Sequence, residues 1–229
     1  MSRLDVFSPL DWVALALFFL AWFGYHFFSL AKSKQQVSLL NALIPYRKQW
    51  LSNTVTRENR ILDSQLLGNL IQSATFFSST TILIMGGLLA LTSAGEKNLD
   101  LVGNIPFAAK VSAQATELKI ILLVLIFMFA FVKFSWSLRQ YNFVSILIGA
   151  LPERDAGDEQ NLATRAANIL HLAGENFTQG LRSYYFALPA LLWVVHPLLF
   201  VLSTLTLVMT LYWMEFHSST LAALKAPQD

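Results

Sequence analysis

The chain has 229 residues, of which 55% are hydrophobic and 13% charged, and its mean hydropathy is +0.52. Soluble domains carry roughly 25% charged residues, so an ordinary soluble globule and a disordered chain are excluded. A balance of 16 Lys and Arg against 14 Asp and Glu is too even for a nucleic-acid binder. The absence of cysteine excludes disulfides, thiolate metal sites, iron–sulfur clusters and cysteine nucleophiles.

An integral membrane protein remains, and four segments are long and apolar enough to cross roughly 30 Å of hydrocarbon, which takes about 20 helical residues. The first covers residues 12–31 and is closed by Lys32 and Lys34. Its leading tail sets Arg3 against Asp5 and Asp11, the reverse of a signal peptide's positive start, so the segment reads as a retained span. Residues 37–51 follow with apolar positions close to helical spacing. They predict a helix lying in the interface, anchored by Trp50 and kinked or ended by Pro45.

The second span lies within residues 64–94. Gln65, Asn69, Gln72, Ser73, Ser79 and Thr80 recur there at steps of three and four, so they share a face. Polar groups in hydrocarbon need partners, which directs that face toward the bundle interior or a water-filled cleft. Met85, Gly86 and Gly87 read as small-residue helix packing. The third span runs from about 118 to 138, with Lys119 and Lys133 near its ends. A second linker ends at Pro152 and is followed by the acidic stretch 153–159, expected to be a solvated loop. The fourth span lies within residues 183–214, entered past Asn176, Gln179 and Ser183 and carrying a His196-Pro197 pair expected to kink it. None of these runs alternates as barrel strands do.

Counting cations in the connections orients the chain. Eleven Lys and Arg fall in or beside the first and third connections, and five lie on the other side. The expectation is both termini outside, with residues 35–62 and 140–182 in the cytoplasm.

The chain also resembles itself. Val37-Ser-Leu-Leu-Asn-Ala-Leu-Ile-Pro45 matches Val144-Ser-Ile-Leu-Ile-Gly-Ala-Leu-Pro152 at an offset of 107. Residues 56–62 match 164–170 at 108, and 69–72 match 176–179 at 107. The expected architecture is therefore all-α: one membrane domain over residues 1–229, a four-transmembrane-helix bundle built as a tandem parallel repeat of two-span units. The repeats cover about 12–94 and 118–214, joined by cytoplasmic amphipathic linker helices. Duplication pairs Arg57 with Arg165, Asn69 with Asn176 and Gln72 with Gln179.

Catalytic patterns are missing: no phosphate-binding glycine loop, His-Glu-x-x-His, Gly-x-Ser-x-Gly or dinucleotide fingerprint is found. His26 and His196 lie at different depths, which disfavours a shared haem, and no metal or other cofactor is expected. The candidate sites are two. Arg57, Arg60 and Arg165 offer planar forks for an anion or lipid headgroup. Asn69, Gln72, Asn176 and Gln179 form the candidate polar interior.

Four spans, Pro-ended cytoplasmic helices, and Thr56-Arg57 to Leu62 leading into Asn69 and Gln72 resemble a group of bacterial inner-membrane proteins. That group is catalogued as domain-of-unknown-function family 599, and the resemblance extends over about residues 8–218. It implies an inner-membrane protein and supplies no activity or catalytic residue. The expected function is a non-catalytic lipid-binding, scaffolding or accessory subunit. The alternatives are a small oligomeric transporter or channel for a polar or anionic solute, and a membrane enzyme acting on lipid. Expected partners are membrane lipids and either further copies of the chain or a membrane protein complex, with no nucleic acid.

Overall fold

A computed structural model describes residues 7–93, 112–151 and 158–225, and every regular element in them is a helix. The acidic stretch up to residue 157, Pro152, and the orienting cations Arg3, Lys97, Lys110 and Arg154 lie outside the described residues. Helix α1 is Pro9–Lys32, α2 Leu39–Ala42, α3 Ile44–Thr56, α4 Ile61–Ser93, α5 Ala113–Gly149, α6 Glu159–Val195, α7 Pro197–Phe216 and α8 Ser219–Lys225. Four of them, α1, α4, α5 and the α7 end of the chain, are long and apolar enough to span a bilayer.

Local chemistry sets the ends. Ser8 caps α1 by accepting from the Asp11 amide, while the Asp11 carboxylate accepts from the Ser8 amide, and Pro9 fills the first turn. The interfacial segment becomes two helices that break at Leu43, and Pro45 sits in the first turn of α3, where its missing N–H costs nothing.

The largest departure from expectation is the last span. The uncharged run 183–214 is two helices, because Pro197 has no amide to continue α6 and His196 adopts an extended backbone. His196 instead caps α7, its Nδ1 accepting from the Leu198 amide. The chain folds back there, and Arg182 of α6 meets Glu215 of α7. Helix α7 then runs beside α1, with Tyr25 and Ser29 on Glu215 and Lys32 on Tyr212. At the other end of α1, Asp11 meets Trp193 of α6. The start of α1 and the end of α7 thus lie at opposite ends of the bundle, which departs from the expectation of two termini on one side.

Helix length explains a second departure. At 1.5 Å per residue, the 33 residues of α4 run about 50 Å, and the 37 each of α5 and α6 about 55 Å. Those lengths exceed the roughly 30 Å hydrocarbon thickness, whereas α1, at 24 residues, and α7, at 20, nearly match it. Two separate cores reflect this. One, the bilayer-length core, packs Phe18, Leu123, Ile126, Phe186, Trp193 and Phe200 where α5 and α6 run beside α1 and α7. The other packs Leu51, Leu67, Val144, Ala166, Leu170 and Ala173 where α3, α4, α5 and α6 overhang. Asn69 and Gln72 lie on the exposed side of that overhanging part of α4 and not in an interior. An uncharged run need not lie wholly in lipid.

Candidate functional site

Arg182 is the centre of the most elaborate polar cluster. Its side chain donates to Glu215 Oε2 at 2.6 Å and to Ser29 Oγ at 3.3 Å. Tyr25 Oη donates to the same Glu215 oxygen and Ser29 Oγ to the other, both at 2.8 Å. The ion pair is largely buried, with side-chain exposures of 16% and 13%. A carboxylate removed from water persists as a charge only when its lone pairs are met, and donors from Tyr25, Ser29 and Arg182 do so here. The cluster is the polar joint holding α1, α6 and α7 together.

Three cavities share the Arg182 side chain. The first, about 400 Å³, lies between α2, α6 and α7, with Leu39, Leu40, Leu43 and Met214 among its apolar walls and Arg47, Arg182 and Glu215 as its charges. The second, about 310 Å³, lies between α1, α5 and α6. The third holds only about 40 Å³ and is lined by Ser29, Ser38, Asn41 and Glu175 among others.

Arg47 is held over the α6 backbone. Its Nη1 contacts His171 Nδ1 at 2.9 Å, and His171 Nε2 lies 3.5 Å from Glu175 Oε1. A guanidinium can only donate, so His171 accepts at Nδ1 and turns its Nε2 toward Glu175. The hydrogen bond from His171 holds the Glu175 carboxyl below its ordinary range, against the opposing effect of burial. Gly174 makes the close approach feasible: a Cβ there would sit 2.7 Å from Arg47 Nη2.

A second buried charge cluster lies at the far end of the bundle. Asp11 accepts from Trp193 Nε1 at 2.7 Å. Lys119, 1% exposed, donates to the Trp193 carbonyl at 2.9 Å and lies 3.6 Å from Asp11 Oδ1.

The residues singled out by sequence are scattered. Arg57 pairs with fully buried Asp63, which also accepts from Trp50 Nε1 at 2.7 Å, so this arginine serves the α3–α4 corner. Arg60 donates to the Leu151 carbonyl at 2.8 Å. Arg165 is exposed on α6 and bonds Asn161, one turn earlier. Asn176 donates to Gln140 Oε1 at 3.0 Å and accepts from Lys133 at 3.3 Å, an interhelical contact between α5 and α6. Gln179 lines two of the Arg182 cavities. Only Gln179 therefore belongs to the main cluster. The sequence pattern did not point to Arg47, Arg182 or Glu215, although a lone carboxylate ending a 32-residue uncharged run was a usable signal.

No group of three or more His, Asp and Glu arranged to hold a metal occurs among the described residues. Residues 13–220 match the model of a family described as a protein of unknown function, DUF599. No curated protein and no solved structure matches the chain.

Proposed function

Since the chain belongs to the DUF599 family, whose description names no activity, we propose from its geometry that it is a membrane protein holding an anionic amphiphile, a phospholipid, in the cavity between α2, α6 and α7. The observation that carries this reading is the lining: leucine walls meet Arg47, beside the Arg182–Glu215 pair, where the helices leave the bilayer-length core. An acyl chain suits the leucines, and a phosphate suits a guanidinium fork. The anion site moves here from Arg57, Arg60 and Arg165, which bond Asp63, the Leu151 carbonyl and Asn161 respectively.

A bacterial inner membrane is the location that the family resemblance implied, and cation asymmetry supports an orientation within it. With the end of α7 opposite the start of α1, Lys225 joins the eleven cytoplasmic cations, giving twelve against four. Helix α6 then returns through the bilayer beside α7, and the overhanging core stands in the cytoplasm. On the offset of 107, the proposed tandem repeat pairs α1 and α2 with α5, and α4 with α6, while the segment that would correspond to α7 falls mostly outside the described residues. Binding is favoured over solute transit within one copy, because fully buried Phe18 and Phe200 and nearly buried Phe186 fill the space between the two charge clusters.

Native mass spectrometry with phosphatidylglycerol in excess over a zwitterionic lipid tests the reading. Arg47→Gln and the cavity-filling Leu40→Trp are expected each to lower retained phosphatidylglycerol about fivefold or more. Retention at wild-type level in both variants overturns it.

A further inference from the structure

The second Arg182 cavity differs in kind from the first, and the two share no other lining residue. Its walls carry no aliphatic side chain. Trp22, Phe27, Phe129 and Phe186 supply rings, with Trp22 stacked on Phe186 at 5.7 Å and meeting Phe129 edge-on at 5.7 Å. The polar lining is Tyr25, whose hydroxyl is taken by Glu215, with His26, Lys133, Gln179 and Arg182, and there is no carboxylate among the lining residues.

Two of those polar groups lack a protein partner: the side chains of His26 and Gln179 are half-buried, keep their polar atoms open to the cleft, and make no hydrogen bond among the described residues. Polar groups withdrawn from water without partners are costly, and membrane helices satisfy theirs internally. Lys133 uses one of its three donors on Asn176, at a long 3.3 Å, and keeps the others. Arg182 is committed to Glu215. Lys133 and Arg182 can only donate, His26 and Gln179 each have a donor to offer, and no carboxylate competes, so the lining suits a partner that carries acceptors.

Depth and access narrow the class. His26 lies six residues before Lys32, about 9 Å from the cytoplasmic end of α1. Phe23 and Phe27 at the rim are 52% and 67% exposed on the bilayer-facing surface of α1, so an occupant enters from lipid. A phospholipid phosphate calls for free guanidinium or paired cations, and Arg182 is already spent on Glu215. A flat ring with neutral acceptors matches both the aromatic walls and the donor set.

We infer that the cleft between α1, α5 and α6 binds a lipid-soluble quinone: a planar ring bearing carbonyl acceptors on an apolar tail. The ring lies among Trp22, Phe129 and Phe186, and His26 and Gln179 donate to its carbonyls. This is a binding assignment, and it does not rest on the phospholipid reading of the first cavity.

The test uses the purified full chain in nanodiscs, titrated with decylubiquinone and read by tryptophan fluorescence quenching. Decylbenzene, which has the ring and tail without the carbonyls, is the control. Saturable quenching is expected with decylubiquinone, and decylbenzene in excess, itself no quencher, is expected not to relieve it. His26→Leu and Gln179→Leu are expected each to weaken binding about tenfold, while phosphatidylglycerol retention stays at wild-type level. Neither residue has a side-chain hydrogen bond to lose, so both variants should keep the wild-type unfolding midpoint, which is measured alongside. Non-saturable quenching, relief of the quenching by excess decylbenzene, an affinity unchanged in both Leu variants, or displacement of decylubiquinone by phosphatidylglycerol overturns the assignment.

Discussion

The indole N–H of Trp193 donates a 2.7 Å hydrogen bond to the carboxylate of Asp11, 182 residues earlier in the chain. The same carboxylate accepts from Ser8 and faces Lys119, so one buried acid gathers the starts of α1 and α5 onto the end of α6. Breaking a buried pair leaves an uncompensated charge, whereas removing both partners does not. Lys119→Met and Asp11→Asn are expected each to destabilise by about 3–5 kcal/mol. The double variant should lose clearly less than their sum. Denaturant unfolding in micelles measures all three, and additive losses would show that the pair is not coupled.

Topology has a direct test because the chain contains no cysteine. Leu10 and Thr220 are both exposed, near the start of α1 and in α8. A membrane-impermeant maleimide applied to intact cells should label Leu10→Cys and spare Thr220→Cys until the membrane is opened. Labelling of both from outside contradicts the proposed orientation.

Acid sensitivity should concentrate at the α3–α6 contact. The Glu175 carboxyl is held below its ordinary range, chiefly by its hydrogen bond from His171. A depressed carboxyl contributes stability that is complete above the usual carboxylate range and is lost as pH falls through the depressed value. Glu175→Gln should therefore flatten the acid limb of unfolding midpoint against pH and leave the shape of the neutral plateau unchanged. An unchanged acid limb would assign that limb to other groups.

Two glycines should respond differently to alanine. A Cβ at Gly180 would lie 2.6–2.8 Å from the ring of fully buried Phe134, itself packed by Phe77, Phe177 and Tyr184. The ring has little room to retreat, and overpacking of this kind costs about 1–3 kcal/mol. At Gly174 the clash is with the tip of Arg47, which can swing away. Gly174→Ala should cost less stability than Gly180→Ala and should mimic Arg47→Gln in phosphatidylglycerol retention. The comparison needs thermal unfolding and the lipid assay on the same preparations.

Membrane character was legible because hydropathy records burial in lipid or protein alike, and the runs beginning near residues 12, 64 and 118 each fall within one helix. The same insensitivity hid how far the chain turns at His196-Pro197, read from sequence as a kink: both sides of it are apolar, so a run of 32 uncharged residues has the profile of one span. It also placed Asn69 and Gln72 in an interior, when their part of α4 overhangs the bilayer-length core. Pro45 is legible as a local punctuation mark, since its effect depends on its own missing amide. The Arg182 cluster was out of reach for a different reason. Its members, Tyr25, Ser29, Arg182 and Glu215, are up to 190 residues apart, and only the α6–α7 fold-back brings them together.

Helix α6 passes from the overhanging core, past the Arg182 joint, to the Trp193 bond in one continuous rod of 37 residues, Pro189 included. Such a rod is about 55 Å long, and a tilt of ~5° about its base carries its tip roughly 5 Å. A displacement of that size exceeds the 2.7 Å length of the bond that ends it. The two ends of the bundle are consequently geared together: a load that leans on the α3–α6 end must either bend α6 or unseat an indole at the other end.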